Sequence, residues 1–154
     1  LAFRMTAAPR DARPPHASPA LGWGSVTGLG GVRMTAEEFL ALGETDERYE
    51  LFDGVVVMSP SPLPRHQQLV QAIFRQLDRW EPPQPPTVFL DTDVHFGDGV
   101  VYRPDVSVYA GSRKIGLPRV LRAAPDLIVE VTSRSSRGTD LLAKRDAYDR
   151  FGVP

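Results

Sequence analysis

Apolar side chains recur at helical spacing in one long stretch of the chain. The residues that follow this spacing are His66, Leu69, Val70, Ile73, Leu77 and Trp80. They predict an amphipathic helix that ends before Pro82-Pro83. A shorter helix is predicted from Thr35 to about Leu42, because Thr35 and Glu38 have the spacing of a capping box. A last helix is predicted from about Thr139 to Phe151, with Gly152 in the usual closing position.

The remaining apolar segments are short, rich in β-prone residues and separated by turn residues. The pair Asp53-Gly54 separates Tyr49–Phe52 from Val55–Met58, which is the strongest short-range signal for a β-hairpin. Four further strands are predicted over Thr87–Phe96, Val100–Tyr102, Asp105–Tyr109 and Leu127–Thr132. Together the elements predict a compact α/β domain in which helices flank a mixed β-sheet.

The two ends of the chain differ from its middle. Residues 1–32 are rich in Pro, Ala, Gly and Arg and have no apolar period, so we expect a disordered tail there. The folded domain is expected over residues 33–154. Only Val153 and Pro154 follow Gly152. We therefore expect the domain to be truncated at its C-terminus, with a further element missing.

The composition is that of an ordinary soluble globular protein. Hydrophobic residues make up 42% of the chain and charged residues 24%, and 18 basic against 19 acidic side chains give a net charge of −1. This balance excludes an evenly basic nucleic-acid wrapper, whereas a local basic groove stays open. No apolar run reaches about 18 residues, so no membrane span is predicted and the expected location is the cytoplasm.

The absence of cysteine narrows the possible chemistry. Disulfides, cysteine nucleophiles and thiolate zinc sites are all excluded. The chain has three histidines, so an all-histidine metal site is not expected either. A metal ion in this protein would therefore be held by carboxylates.

Two acidic residues occur where the pattern predicts burial. The run from Asp126 to Thr132 is apolar on both faces, which is typical of a buried central strand, and Glu130 falls on the same face as Ile128. A carboxylate there is costly unless a cation or hydrogen bonds pair with it. Asp105 opens the neighbouring predicted strand, so the two carboxylates could meet on one face of the sheet. The alternative is a strand-end acid and a structural ion pair.

Lys144 lies on the apolar stripe of the last predicted helix. Helical spacing places it in a row with Leu141, Tyr148 and Phe151. One interpretation is that the lysine extends past the two aromatic rings to water. The other is that its ammonium, next to the two carboxylates, is aimed at an anionic substrate. In that case, removing the ammonium is expected to affect folding very little.

Asp91, Asp93 and His95 form a competing candidate site. If one strand covers all three, their alternation places them on one face, where they could ligate a transition metal. Polar residues at every second position are also typical of the wet side of a half-exposed strand.

Several segments in order resemble the PD-(D/E)XK nuclease superfamily, and within it the bacterial Uma family of restriction-endonuclease-like domains. The resemblance is carried by Met34–Phe39, Tyr49–Gly54, Arg103–Val106, Pro125–Ser133 and Tyr148–Val153, together with His66 and Lys144. It covers everything from about residue 33 onward. It implies a restriction-endonuclease-like fold and a Mg²⁺-dependent endonuclease that hydrolyses DNA phosphodiester bonds.

The resemblance also implies roles for individual residues. Pro104-Asp105 matches the PD element, Glu130 the second acid, and Lys144 the lysine, which stands on the helix after the sheet. Asp105, Glu130 and the carbonyl of Val131 would hold Mg²⁺, which prefers oxygen ligands. Lys144 and the metal would stabilise charge on the phosphate oxygens while water attacks the phosphorus.

Glu50 and His66 each have two interpretations. Glu50 resembles the family's first acid, which could assist the metal or a second ion, but it could equally be an exposed hairpin carboxylate. His66, at a helix start, could contact a phosphate of the DNA, or it could be an ordinary surface histidine.

The sequence departs from the superfamily pattern at two places. Thr132 stands where the lysine ordinarily follows the acid by two residues, and Ser133-Arg134-Ser135 replaces the usual Ser-Pro-Ser of the family. Independently of these departures, an alternative function is a catalytically inactive nuclease-fold domain that binds nucleic acid or protein, since a fold alone does not establish activity.

Overall fold

The computed structural model describes residues 28–97, 99–132 and 139–154 of the 154-residue chain. The helices are α1 (Ala36–Ala41), α2 (Pro64–Asp78) and α3 (Thr139–Arg150). The strands are β1 (Arg48–Phe52), β2 (Val55–Ser59), β3 (Thr87–Leu90), β4 (Val94–Gly97), β5 (Val100–Tyr102), β6 (Val106–Tyr109) and β7 (Leu127–Val129). The predicted α/β class is confirmed. In the described part of the chain, no helix is long and apolar enough to cross a bilayer.

The strands form two antiparallel sheets. The first has the order β2-β1-β5-β4 and the second the order β3-β6-β7. Parallel pairing among the described residues is limited to one isolated bridge, between Val94 and Leu121. Because β5 runs directly into β6 through Arg103, Pro104 and Asp105, the chain passes from one sheet to the other at that point.

Helices cover the faces of both sheets. On the first sheet, α1 packs against the face that carries Leu51 and Val101, and α3 packs against the opposite face, which carries Phe52 and Tyr102. On the second sheet, α2 covers the face that carries Val106 and Val129. Successive residues of a strand point to opposite faces, so Glu50, between Tyr49 and Leu51, faces α3.

Local signals in the sequence explain the ends of several elements. The β1–β2 hairpin is confirmed, and both of its turn residues have positive φ, 44° at Asp53 and 79° at Gly54. The capping box is confirmed as well, since Thr35 and Glu38 exchange hydrogen bonds at the start of α1.

The end of α3 is a Schellman motif. Gly152 has a φ of 74°, and the backbone N–H groups of Gly152 and Val153 donate to the carbonyls of Asp149 and Tyr148. Val153 and Tyr148 pack in the same apolar cluster. The predicted closure of this helix is confirmed, and it fixes the last turn of α3 against the first sheet.

Two strand predictions need correction. The predicted strand Thr87–Phe96 is split into β3 and β4, which belong to different sheets, because the backbone turns at Asp91 with a φ of 50°. The predicted strand Leu127–Thr132 ends at Val129 and lies at the edge of the described second sheet, where β6 is central. Leu127 is 44% exposed, so the apolar run did not indicate a fully buried strand.

The boundary of the predicted tail also changes. Gly31 N–H donates to the Val56 carbonyl and Val56 N–H to the Val32 carbonyl, so these residues pair with β2. Leu29 packs against the core beside α1. The folded domain therefore includes residues 28–32, whereas residues 1–27 lie outside the described residues.

The two hairpin turns of the first sheet touch each other at Gly99. Gly99 has a φ of 71°, and a Cβ there would lie 2.8 Å from the backbone nitrogen of Gly54. We expect Gly99→Ala to lower the free energy of unfolding by about 1–3 kcal/mol through backbone strain alone. Urea unfolding followed by circular dichroism measures this. Gly30→Ala, where a Cβ meets nothing within 4 Å, is the matched control. Equal stability of the two variants would contradict the prediction.

Candidate active site

The candidate site lies where the two sheets meet beneath α3. Glu50 comes from the middle of β1, and Asp105 and Glu130 stand directly beside the last paired residues of β6 and β7, Val106 and Val129. In antiparallel register the next two positions face each other, so Asp105 and Glu130 are neighbours across the strands. The two residues therefore lie at neighbouring strand ends, each one position outside the paired segment.

Glu50 is buried, with 6% of its surface exposed. Its Oε1 accepts a hydrogen bond from the backbone N–H of Arg103 at 2.7 Å and pairs with Lys144 Nζ at 2.8 Å. Its Oε2 accepts from the Ser59 hydroxyl at 2.8 Å. Both oxygens thus have partners within the protein, and the interpretation of Glu50 as an exposed hairpin carboxylate is wrong.

Lys144 projects inward from α3 and is held by two acids. Its side chain is 13% exposed, and its Nζ lies 2.8 Å from Glu50 and 3.1 Å from Glu130. It also sits 5.6 Å from the centroid of the Tyr102 ring. Burial lowers the pKa of Lys144, but the two carboxylates outweigh burial, so its pKa is raised overall. The interpretation in which this lysine extends to water is wrong.

Glu130 is a buried carboxylate with two donors on one oxygen. Its Oε1 accepts from Lys144 Nζ at 3.1 Å and from the Tyr148 hydroxyl at 2.6 Å. Burial raises the pKa of Glu130 despite these partners, and the negative charges of Glu50 and Asp105 raise it further. The ionised form of Glu130 is therefore less favourable in the folded protein than in water. An additional cation nearby would offset this cost.

Asp105, like Glu130, has two hydrogen-bond partners on one of its oxygens. Its Oδ2 accepts from the backbone N–H of Val131 at 2.7 Å and lies 3.0 Å from Nε2 of His66, on α2. The Asp105 side chain is 14% exposed and that of His66 20%. His66 Nδ1 is buried and has no partner among the described residues. The interpretation of His66 as an ordinary surface histidine is therefore wrong.

The contacts divide the five predicted side chains into two groups. Glu50, Lys144 and Glu130 form one chain of direct ion pairs. Asp105 and His66 form a second pair. The groups are joined where Val131, next to Glu130 in the chain, donates to Asp105.

The sequence also matches the model of a known family. The sequence model of the family described as "Uma2: Putative restriction endonuclease" matches residues 36–154. This chain belongs to the Uma2 family. No curated protein matches the chain.

A solved structure with a similar fold is described as a "putative nuclease belonging to DUF820" from Anabaena variabilis ATCC 29413. The TM-score is 0.61 and the sequence identity 24%, and the match covers 73% of this chain and 65% of that one. The Uma2 chain described here therefore spans about two thirds of that protein. At this identity the likeness establishes the shared fold.

The donor set suits the divalent metal that a restriction-endonuclease-like Uma2 domain implies. Among the described residues, no group of three or more His, Asp or Glu side chains is arranged to enclose an ion. Asp105 and Glu130 nevertheless each use one oxygen for two donors, and within the described part of the chain the other oxygen has no hydrogen-bond partner. Hard carboxylate oxygens are the ligands that Mg²⁺ prefers.

The competing site does not form in this Uma2 domain. Asp91 pairs with Arg48 at 3.2 Å, and Asp93 is held by both Arg103 Nε and an Arg103 terminal nitrogen, at 2.7 and 3.0 Å. His95 Nδ1 lies 3.0 Å from Arg122. Because β3 and β4 are separate strands, the predicted alternation does not apply. The interpretation of Asp91, Asp93 and His95 as a shared metal site is wrong.

Three partners of Glu50 and Glu130 were not predicted from the sequence. They are the Tyr148 hydroxyl, the Ser59 hydroxyl and the backbone N–H of Arg103. Tyr148 had a signal, since it stands four residues after Lys144 on the same helix face. Ser59 and Arg103 had none, because their contacts with Glu50 depend on how β2 and β5 pair with β1.

Proposed function

We propose that this Uma2 domain is a Mg²⁺-dependent endonuclease that hydrolyses DNA phosphodiester bonds in the cytoplasm. The observation that carries the proposal is the hydrogen bonding of Asp105 and Glu130, which follows the same pattern in both carboxylates. Each carboxylate accepts from two donors on one oxygen, and among the described residues its second oxygen has no hydrogen-bond partner, so that oxygen could bind a metal ion. The family description and the similar solved structure support nuclease chemistry.

Asp105, Glu130 and the carbonyl of Val131 are the proposed holders of Mg²⁺. All three would coordinate the ion through an oxygen atom. Asp105 directly precedes β6, and Glu130 and Val131 directly follow β7, which pairs with β6. When bound, Mg²⁺ would make a coordinated water more acidic and neutralise charge on the scissile phosphate. The desolvated Glu130 fits this assignment, since a second cation offsets the cost of its burial.

Lys144 is the proposed electrostatic catalyst. Its raised pKa keeps the ammonium charged at neutral pH, and its position within 3.1 Å of Glu130 brings it next to the proposed metal site. There it would stabilise negative charge that develops on phosphate oxygens, at no cost in reorganisation.

Glu50 is proposed to hold Lys144 rather than a metal ion. Both of its oxygens are already occupied by Arg103, Ser59 and Lys144. A carboxylate with this many protein donors has little capacity left for Mg²⁺. Glu50 therefore fixes the lysine together with Glu130.

His66 is proposed to support Asp105 and not to bind a DNA phosphate directly. Its Nε2 is engaged by Asp105 at 3.0 Å, and its side chain is largely buried. Contacts to the DNA backbone are better suited to Arg65 and Arg145, which are exposed and stand next to His66 and Lys144 in the chain.

Metal removal tests the proposed function. We expect the purified protein to cleave plasmid DNA with Mg²⁺, to stop when EDTA is in excess, and to recover when Mg²⁺ is restored. Asp105→Asn, purified in parallel, should lose cleavage by about a hundredfold or more, because one carboxylate charge is removed from the metal site. Gel electrophoresis of nicked and linear DNA measures the rate.

The same experiment separates the proposal from its alternative. Cleavage that persists in EDTA, or that is unchanged in Asp105→Asn, would contradict it and indicate a contaminating nuclease. DNA binding that is equally strong with and without Mg²⁺, without any cleavage, would instead support an inactive nuclease-fold domain.

A further inference from the structure

Tyr148 stands closer to Glu130 than any other described donor. Its hydroxyl donates to Glu130 Oε1 at 2.6 Å, a typical length for a hydrogen bond from a hydroxyl to a carboxylate. Lys144 Nζ reaches the same oxygen at 3.1 Å. The inference drawn from this contact rests on the proposed function, in which Glu130 is a Mg²⁺ ligand.

The ring of Tyr148 is held firmly by its surroundings. It is 9% exposed and packs edge-on against Tyr102, with ring centroids 5.8 Å apart. Phe96 lies on another side at 5.4 Å. The backbone carbonyl of Tyr148 accepts from Val153 in the motif that closes α3. With both its ring and its backbone fixed, the hydroxyl has one direction in which to donate.

The hydroxyl acts as a donor and not as an acid. A phenol is protonated at neutral pH and an ionised carboxylate can only accept, so the hydroxyl is the donor in this hydrogen bond. Its O–H points to Glu130 Oε1, so this hydrogen bond restrains the Glu130 carboxylate, and among the described residues Oε2 has no hydrogen-bond partner.

We infer that Tyr148 is a positioning residue, which holds Glu130 Oε1 so that Oε2 is presented to Mg²⁺. Lys144 alone would not do this, because its ammonium is shared with Glu50 and carries three rotatable donors with no single preferred direction. A rigid phenol on the same helix face supplies the fixed direction. Groups that orient a metal ligand in this way typically contribute ten- to a hundredfold to metal affinity or activity, roughly.

Calorimetric titration with Mg²⁺, in the absence of DNA, tests the inference with a readout other than cleavage. Tyr148→Phe deletes one oxygen and keeps the packed ring. We expect its Kd for Mg²⁺ to rise by about tenfold or more. In cleavage assays at saturating Mg²⁺, kcat should fall while KM for DNA stays unchanged, because the hydroxyl does not touch the DNA.

Tyr109→Phe is the matched control. Tyr109 is also fully buried, and its hydroxyl donates to the Ala123 carbonyl at 2.8 Å, away from the site. Its removal should lower the melting temperature and leave the Kd for Mg²⁺ unchanged. A merely structural role for the Tyr148 hydroxyl predicts the same behaviour for both variants.

A second comparison tests whether the effect of the Tyr148 hydroxyl on Mg²⁺ binding depends on Glu130. Glu130→Asp shortens the acid by one methylene and withdraws it from the hydroxyl, so adding Tyr148→Phe to that variant should change the Kd by less than about twofold. Full additivity of the two changes would overturn the inference. So would a Mg²⁺ Kd for Tyr148→Phe equal to that of the wild type. If the wild type itself binds no Mg²⁺, the proposed function fails, and the inference fails with it.

Discussion

Glu130→Gln should abolish DNA cleavage while leaving the fold at least as stable as that of the wild type. The substitution keeps the size of the side chain and removes its charge. If Glu130 is a ligand of Mg²⁺, its loss removes several kcal/mol of transition-state stabilisation, and about 4 kcal/mol corresponds to about a thousandfold in rate. We therefore expect a decrease of about a thousandfold or more in kcat/KM.

The stability of this variant follows from the environment of the carboxylate. Burial raises the pKa of Glu130, so the folded protein ionises it less readily than the unfolded chain does. At neutral pH the charge therefore weakens the fold, and a neutral amide removes that penalty. A gain in stability together with a loss of activity is typical of a functional site. It is not expected of a structural ion pair, where removing one partner destabilises the fold.

Asp126→Asn is the matched control for Glu130→Gln. Asp126 lies four residues earlier, is exposed, and has its pKa lowered by the backbone N–H of Ala110 and by Arg113. Its replacement should leave cleavage unchanged and should not stabilise the fold. Urea unfolding in EDTA and plasmid cleavage in Mg²⁺ are the two measurements. A Glu130→Gln variant that is less stable and still active would assign Glu130 to the fold and not to the site.

Much of the site could be predicted because local alternation fixes the faces of strands and helices. The alternation around Glu130 placed it on the face of Ile128, and in the structure Ile128 packs with Tyr148 while Glu130 bonds to the same tyrosine. Helical spacing likewise placed Lys144 on the buried stripe of α3. These relations depend on residues that are close in sequence.

The features that could not be predicted depend on contacts between segments that are far apart in the sequence. Glu50 acquires Ser59 and Arg103 as partners because β1 lies between β2 and β5, and this strand order is not encoded in the alternation of any one strand. The split at Asp91 was missed for a similar reason. A non-glycine residue with positive φ is uncommon, and here an ion pair with Arg48 accompanies the turn. Such tertiary effects override the β-prone character of the run from Thr87 to Phe96.

Lys144→Met should lower both cleavage and stability, which corrects the expectation that folding would barely change. Methionine keeps the length and the apolar packing of the stem and deletes the ammonium. We expect cleavage to fall by about a hundredfold or more, the effect of removing one electrostatic donor. The free energy of unfolding should fall by about 3 kcal/mol, because Glu50 and Glu130 are left buried without their shared cation.

The double variant Glu50→Gln/Lys144→Met separates the two effects. Glutamine can still accept from the Arg103 N–H and contact Ser59, so neutralising Glu50 returns the cluster to one negative charge and should restore most of the lost stability. Cleavage should stay low, because neither glutamine nor methionine supplies the positive charge that Lys144 is proposed to place beside the phosphate. The coupling energy from the double-mutant cycle, measured by urea unfolding in EDTA, gives the strength of the Lys144–Glu50 pair. If the double variant recovered cleavage together with stability, Lys144 would have only an architectural role, and the activity of the site would rest on Asp105 and Glu130 alone.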